Sequence, residues 1–420
     1  MEKWFHSVRL DADKCVGCTD CIKRCPTEAI RVRNRKAKII KERCIDCGLC
    51  IEVCKHHAKL AATDSLKCLS GYKYKIAITD PTIYAQFKDI LDANRILTGI
   101  KRLGFDDVLD SSYAAHLTAE KTAEYLRECG AKKPVISSGC PAVARLIATK
   151  FPSLIDNIAP VLTPMSVSAK AAVAIIEEKG IAREDAGIFY ITPCAARATA
   201  ARVPFDVESS DIDGVISMRD IFIRLKISIK AVSPIDVQSL CTKSPDGMGC
   251  AASGGMEAVV SDRNSIAVDG IDNITKVLEY VENGQLDDVD FIECNACSEG
   301  CLGGCLTVNN NFVARNTLKR VMDNTKLYSA EQCRNLSPYF KNIDLCRTKS
   351  IEPVEVMNLD GDMEVAIEKM SDITRIYQSL PKIDCGSCGA PTCMAFAEDI
   401  VQDKAKLDDC IFMKGKSVDK

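Results

Sequence analysis

Glu293-Cys294-Asn295-Ala296-Cys297-Ser298-Glu299-Gly300-Cys301-Leu302-Gly303-Gly304-Cys305 packs four cysteines and three closely placed glycines into one short run. Thiolates are soft ligands, and four together imply a soft metal or an iron–sulfur centre. Glycine lets a backbone approach a bulky inorganic object closely. Two further cysteines, Cys140 and Cys194, lie far upstream, each just after a predicted strand.

The segments around those two cysteines set the fold class. Lys75-Ile76-Ala77-Ile78-Thr79 reads as a strand, and Ile83 to Leu103 as one long amphipathic helix. Pro134-Val135-Ile136-Ser137-Ser138 leads into a helix from Pro141. Gly187-Ile188-Phe189-Tyr190-Ile191-Thr192 leads into Pro193-Cys194, and Gly214-Val215-Ile216 into a helix from Met218. Strands alternating with helices predict an α/β body with mostly parallel sheet. Ligands of such sheets sit beyond the carboxyl ends of the strands, so Cys140 and Cys194 can converge although far apart in the chain.

The chain has 420 residues, 24 of them cysteine, with a net charge of −3. That length implies more than one domain. The cysteines cluster in CxxC-type groups in a long chain, which favours metal ligation over disulfides. No apolar run reaches the ~18 residues of a membrane span. The first residues lack the apolar core of a signal peptide, so a cytoplasmic location is expected. The charge gives no sign of nucleic acid, and neither nucleic acid nor membrane is expected as a partner.

Residues 1–70 contain Cys15-x2-Cys18-x2-Cys21-x3-Cys25-Pro26, then Cys44-x2-Cys47-x2-Cys50-x3-Cys54. This internal repeat has the bacterial ferredoxin spacing for two 4Fe-4S clusters, and the fourth cysteine of each run crosses to the other cluster. Cys15, Cys18, Cys21 and Cys54 then hold one cluster; Cys44, Cys47, Cys50 and Cys25 hold the other. Lys55 stands where a proline is usual. Residues 1–75 carry 17 Lys/Arg against 9 Asp/Glu. A four-thiolate cubane carries roughly −2, so part of this excess offsets the clusters. The run Arg31 to Lys38 is either a dock for an acidic electron carrier or a solvated basic hairpin. His56 and His57 adjoin Cys54 and are expected to tune or cover its cluster.

Residues 351–380 read as a connector with a polar turn at Asp360-Gly361-Asp362 and a helix to about Leu380. Residues 381–420 contain Cys385-x2-Cys388-x4-Cys393-x16-Cys410, a third cluster motif in which a helix from Ala395 brings Cys410 back. It resembles a small 4Fe-4S domain of anaerobic redox proteins, with the signature Asp-Cys-Gly-x-Cys-Gly-x-Pro-x-Cys.

Three segments together carry a wider resemblance: Ser137-Ser138-Gly139-Cys140-Pro141, Thr192-Pro193-Cys194-Ala195-Ala196-Arg197, and the opening run. In order and spacing they resemble the three motifs of the FeFe hydrogenases. Thr79-Asp80-Pro81-Thr82, Thr163-Pro164-Met165 and Gly254-Gly255-Met256-Glu257-Ala258 agree as well. The resemblance implies an α/β hydrogenase domain over residues 71–350, with mostly parallel sheets. An α+β two-cluster ferredoxin domain and a small, mainly helical 4Fe-4S domain flank it. It also implies an H-cluster, a cubane joined through one shared cysteine to a diiron unit with CO, cyanide and azadithiolate ligands. By motif, Cys140, Cys194, Cys297 and Cys301 hold that cubane, and Cys301 is the shared ligand. Three accessory 4Fe-4S clusters complete the cofactor set. Pro81, Thr82, Gly139, Met165 and Arg197 occupy the family's cofactor-facing positions, and Thr82 is a candidate donor to a cyanide or a strand-end cap.

The departures from the family pattern are as informative. The proton-relay cysteine of the first motif is Gly139, which carries no proton. The lysine that pairs with a cyanide is Arg197, whose fork differs in geometry and reach. Methionines are replaced by Thr192 and Asn295, and the glutamate three positions beyond the lysine is Ala200. Glu257 and Glu293, each beside a cluster-facing motif, are the candidate substitute relay. Cys294 and Cys305 are extra to the pattern and read as buried, inert thiols or as replacement ligands. Cys250 reads as structural, and Cys68, Cys129, Cys241, Cys333 and Cys346 have no motif.

The expected activity is reversible oxidation of H2 to protons and electrons. Loss of the relay cysteine resembles the divergent, H2-sensing type of the family, in which turnover is slow. The partners implied are H2 and protons, a ferredoxin-like electron carrier or a separate signalling protein, and the hydrogenase maturation proteins. A conventional ferredoxin-linked hydrogenase and a hydrogenase-like iron–sulfur assembly protein without a diiron site are the alternatives.

Overall fold

The computed structural model describes residues 5–128, 132–260, 264–356 and 359–415. The chain forms two compact units, one of residues 1–61 with 353–420 and one of residues 62–352. The boundaries expected from sequence were 70/71 and 350/351, with residues 381–420 standing as a separate unit. In the structure those C-terminal residues share a unit with the N-terminal cysteine repeat.

In the first unit, four short strands are β1 (Val8–Leu10), β2 (Ile30–Arg33), β3 (Lys36–Ile39) and β4 (Lys59–Ala61). β1 pairs antiparallel with β4, and β2 with β3. Asn34 and Arg35 turn the β2–β3 hairpin with φ of 51° and 58°. The C-terminal part is a helix pair, Met363–Ser379 against Cys393–Val401, around Ile373, Leu380 and Phe396. The shorter helix starts at Cys393, and a 3-10 turn at Leu407–Asp409 delivers Cys410.

This helical part is fastened to the basic hairpin. Arg31 Nε donates to both oxygens of Asp399, at 3.0 and 2.8 Å, and Arg33 Nη2 donates to the same carboxylate at 2.7 Å. Arg43 Nη2 reaches Glu398 at 3.0 Å. Arg31, Glu398 and Asp399 are all buried. The guanidinium fork suits such bidentate, desolvated pairing. Two cations of the Arg31 to Lys38 run are therefore spent inside the unit, where the sequence left a choice between a carrier dock and a solvated face.

In the second unit, β5 (Tyr74–Thr79), β6 (Asp107–Asp110), β7 (Val135–Ile136), β8 (Ala186–Thr192), β9 (Gly214–Ser217), β10 (Ser265–Asp269) and β11 (Phe291–Asn295) build two sheets. One has the order β6-β5-β8-β9 and the other β10-β11-β7, and every pairing in both is parallel. Both faces of the larger sheet are covered, so its strands are continuously apolar rather than alternating. Ala77, Val108, Phe189, Ile191 and Ile216 face a core with Ile96, Ile100, Leu225 and Leu318. Ile76, Ile78, Ile188, Tyr190 and Val215 face the opposite core with Ala172, Ile175 and Ile176. Cys68, Cys241 and Cys333 belong to the first of these cores.

The helix expected over Ile83–Leu103 is broken. Pro81–Gln86 is a buried 3-10 helix capped by Asp80, and the α-helix spans only Ala93–Lys101. A second N-cap explains the restart: Asp92 accepts from the Arg95 N–H at 3.2 Å. The amphipathic period runs through both pieces, but capping chemistry separates them. Cys129 lies outside the described residues.

Replacing Asp399 by alanine leaves two guanidiniums without their carboxylate, one of them buried. Removing one partner of a buried pair costs about 3–5 kcal/mol. Denaturant unfolding followed by iron–sulfur absorbance is expected to show a loss of that size in the first unit, while Asp323→Ala, at an exposed pair with Lys326, changes little.

Candidate functional site

Four strand ends converge on the site. β5 ends at Asp80-Pro81-Thr82, β7 runs on to Cys140, β8 to Cys194 and β11 to Cys297. Cys140 is the N-cap of the helix Pro141–Lys150, and Cys194 that of the helix Ala195–Ala200. Their strands belong to different sheets, so the site lies where the carboxyl ends of both sheets meet.

The thiols feel one another. Burial pushes Cys194 well up, and Cys305, Cys301 and Cys140 add to the rise. Burial also raises Cys301; Arg197 opposes it, while Cys140 and Glu293 reinforce it. Burial raises Cys140 too, against backbone N–H donors at Ala296, Val143 and Ala142. Confined thiols that disfavour one another's ionisation form a donor set suited to a multivalent cationic centre. Cys297 is half-buried on the same loop. Cys305, read from sequence as an inert thiol or a replacement ligand, is buried and close enough to raise Cys194. Cys294 is buried, with its N–H donating to Ser137 Oγ at 3.0 Å.

Neighbouring backbone demands the loop glycines. A Cβ on Gly300 would lie 2.6 Å from Ser253 N, one on Gly303 2.2 Å from Ser298 O, and one on Gly304 2.5 Å from Pro193 O. The N–H of Leu306 donates to the same Pro193 carbonyl at 2.8 Å. Close loop-to-loop packing thus accounts for residues first read as room for an inorganic group.

Arg197 ties the loop to the sheet. Its Nη2 donates to Cys301 Sγ at 3.2 Å and its Nη1 to Tyr190 Oη at 3.1 Å, and it is ion-paired with Asp80. Asp80 Oδ2 also accepts from Tyr190 Oη at 3.0 Å, and Asp80 Oδ1 from the Thr82 N–H at 2.9 Å. Neither Asp80 nor Tyr190 was assigned a role from sequence. Asp80 follows β5 within the quoted Thr79-Asp80-Pro81-Thr82 segment and Tyr190 lies inside β8, and nearness to the strand ends was the signal available. Pro81 opens the buried 3-10 turn, and Met165 is buried in the core that contains Tyr190 and Ala198.

Two features test the fit of a cofactor beside these cysteines. Thr82 Oγ1 is fully buried with no hydrogen-bond partner among the described residues. A Cβ built on Gly139 meets nothing within 4 Å. An orphaned hydroxyl and an open space beside Cys140 fit a group with acceptor atoms.

Glu293 sits on β11 and is buried. Its Oε1 accepts from Asn295 Nδ2 at 2.6 Å and from the Gly254 N–H at 3.2 Å; its Oε2 accepts from the Glu257 N–H at 2.7 Å. Burial raises its carboxyl above the usual range despite these donors. The Glu257 side chain is half-buried and accepts from Ser265 Oγ at 2.6 Å. Cys250 lies nearby, its thiol pushed up by burial and then by Glu293 and Asp246.

In the first unit, one cavity is lined by Cys15, Cys18, Cys21 and Cys54, with His56 in its wall. Another is lined by Cys25, Cys44, Cys47 and Cys50. These are the two crossed sets expected from the repeat. Burial pushes Cys21 up to about 11, with Lys59 opposing and Cys18, Cys15 and Cys54 adding. Lys59 also acts on Cys50. It is buried, and its Nζ has no hydrogen-bond partner among the described residues. A buried ammonium between two thiol sets fits anionic clusters on both sides. Asp46 beside Cys44 holds His6 Nδ1 at 2.8 Å and the Val8 N–H at 3.0 Å, a bracket the sequence did not reveal. At the C-terminal end, burial raises Cys388; Arg33 opposes, and Cys410 and Cys385 add. Cys393 packs in the same core.

The family model for the iron only hydrogenase large subunit, C-terminal domain, matches residues 73–265 and 259–305, more than half of the chain. The chain belongs to this family. Residues 7–55 of this family member match a 4Fe-4S dicluster domain, and residues 380–412 an Fe-S cluster domain. The NADP-reducing hydrogenase subunit HndD of Solidesulfovibrio fructosivorans is 26% identical over 254 residues, covering 51% of this chain and 43% of that one. Iron hydrogenase 1 of Clostridium pasteurianum is 22% identical over 336 residues, covering 73% of this chain and 57% of that one. The chain thus spans about half the length of these two relatives. A solved [FeFe]-hydrogenase from work on oxygen inactivation of the H cluster superposes with a TM-score of 0.50 at 16% identity, covering 69% of this chain and 98% of that one. That likeness shows the fold: an α/β hydrogenase domain of parallel sheets, here with a ferredoxin-like part and a helical C-terminal part. Among the described residues no helix is long and apolar enough to cross a membrane.

The raised Glu293 carboxyl sets the sign of a pH effect. Its contribution to stability is fully present below the ordinary carboxylate range and is lost as pH rises through the raised value. Glu293→Gln is expected to flatten that decline, so the gap in melting temperature between variant and wild type moves in the variant's favour as pH rises from 4 to 7. A gap independent of pH would show that Glu293 is not raised.

Proposed function

We propose that this chain reversibly oxidises H2 to protons and electrons at an H-cluster. Cys140, Cys194, Cys297 and Cys301 would hold it, with Pro81, Thr82, Gly139, Met165 and Arg197 around it. Electrons would pass through three 4Fe-4S clusters on the Cys15, Cys44 and Cys385 sets. The observation that carries this reading is the gathering of half-buried cysteines at the carboxyl ends of two parallel sheets, beside the open space at Gly139, in a member of the iron-only hydrogenase family.

When bound, the diiron group supplies the binding and splitting of H2; the protein supplies orientation, electrostatics and wiring. Thr82 Oγ1 offers one donor toward an anionic ligand. Arg197 holds Cys301 through Nη2 while Asp80 and Tyr190 fix its guanidinium. Gly139 leaves the pocket without a proton-bearing side chain at that position. Burial raises the Glu293 carboxyl, so it keeps a proton to higher pH than an ordinary carboxylate, the direction a relay acid needs. The Glu257 backbone N–H donates to Glu293 and the Glu257 carboxylate accepts from Ser265 Oγ, and these two carboxylates would be the carriers of the proton. A relay displaced from the pocket suits slow turnover, and slow turnover suits H2 sensing through a separate signalling protein. A ferredoxin-like carrier would serve a conventional role. Maturation proteins would deliver the diiron group, and the cytoplasm is the compartment that fits such partners.

Infrared spectra of protein supplied with the diiron cofactor are expected to show CO and cyanide bands. Their absence would sink the H2 reading and leave an iron–sulfur protein without a diiron site. Glu293→Ala and Glu257→Ala are each expected to slow H2 evolution by roughly 100-fold or more, the usual weight of a positioned proton carrier, with the bands unchanged. Gly139→Cys has room for its side chain and is expected to raise turnover. A wild-type rate on the conventional scale, unmoved by Gly139→Cys, would remove the sensory assignment.

A further inference from the structure

The arginine-fastened seam of the first unit joins two of its cysteine sets. Val32 lines the cavity of Cys15, Cys18, Cys21 and Cys54, and is absent from the wall of the other ferredoxin-type cavity. The Val32 N–H donates to the Gly389 carbonyl at 2.8 Å. One residue back, the Cys388 carbonyl accepts from Arg33 Nη1. Gly389 has φ of +79°, and a Cβ there would lie 1.8 Å from the Val32 carbonyl oxygen. No other residue lets this seam close. On the other side of Cys388, a Cβ on Gly386 would lie 3.4 Å from Ile22 Cδ1, next to Cys21. Thr392, the residue before Cys393, donates to Glu28 Oε1 at 3.1 Å. Through Val32, the backbone next to Cys388 thus meets the wall of the Cys15 cavity, whereas Thr392 meets Glu28 beside the wall of the other one.

We propose that the C-terminal cluster exchanges electrons directly with the cluster of Cys15, Cys18, Cys21 and Cys54 across the Val32–Gly389 seam, and that the Arg31–Arg33–Asp399 latch holds the pair in register. In each transfer one cluster is oxidised by one electron as the other is reduced. No bond breaks and no proton moves. The first electron comes from a one-electron donor, dithionite in the test below. Arg33 stands beside Cys388 and offsets the charge added on reduction. The seam packs the backbone beside Cys388 against Val32 in the wall of the Cys15 cavity, and burial and hydrogen bonding are levers on cluster potential. The inference rests on iron–sulfur loading of the first unit and not on the diiron chemistry, so protein lacking the diiron cofactor serves for its test.

Electron paramagnetic resonance of the dithionite-reduced full chain decides it. The signal lost on Cys388→Ala identifies the C-terminal cluster. In wild type that signal is expected to be split or broadened by a neighbouring spin and to resist microwave saturation. Cys18→Ala should abolish the splitting and lower the saturating power severalfold, and Cys47→Ala should leave both in place. Asp399→Asn and Gly389→Ala should reproduce the Cys18→Ala effect at unchanged iron content. If Gly389→Ala loses iron, Asp399→Asn supplies the comparison. A simple, easily saturated C-terminal signal in wild type overturns the proposal. So does a splitting that vanishes with Cys47→Ala and survives Cys18→Ala. Failure of the H2 reading would appear in the infrared bands and leave these spectra unchanged.

Discussion

A single buried carboxylate, Asp80, holds the second unit's site together. One oxygen caps the 3-10 turn through the Thr82 N–H, and the other takes the Tyr190 hydroxyl, with the Arg197 guanidinium ion-paired to the same carboxylate. Arg197 in turn reaches the thiol of Cys301. Through these contacts β5, β8 and the glycine-rich loop are locked to one another. A charge buried this deeply is tolerable only when its partners are complete. Asp80 therefore fixes where Arg197 stands, and Arg197 fixes the approach of Cys301. The lysine it replaces would bring one compact charge, while the fork of arginine can touch carboxylate, phenol and thiol at once.

Much of this was legible in the residues. The strands at Lys75, Gly187 and Gly214 stand out as apolar runs bounded by turn residues, and the parallel sheet follows from the intervening helices. The crossed cysteine sets of the ferredoxin-like part follow from the resemblance to two-cluster ferredoxins, in which the fourth cysteine of each run serves the other cluster. The break in the Ile83–Leu103 helix was hidden, since both halves share one apolar period and only the side-chain caps of Asp80 and Asp92 divide them. The roles of Asp80 and Tyr190 were hidden for a different reason. Each is an ordinary residue near a strand end until the partner strand is known.

The cysteine-rich loop changed most on inspection. Its glycines answer to the backbone of Ser253, Ser298 and Pro193. Cys305 stands beside Cys194, closer to the site than its place outside the motif implied. Glu293 does two things at once. It anchors the start of the helix Gly255–Val260 through backbone N–H groups, and burial raises its carboxyl above the usual range.

The long reach of the arginine latch has a consequence for how the chain is made. Arg31 and Asp399 are separated by 368 positions. Contacts so distant in sequence close late in folding. The middle segment has its own cores and its own parallel sheets, so it can settle while the last residues are still being synthesised. The N-terminal cysteine repeat lies far ahead of Gly389 in the chain and waits for these neighbours. Until Gly389 arrives, the Val32 edge of the first cysteine cavity stays uncovered, so that cavity is completed by residues from both ends of the chain.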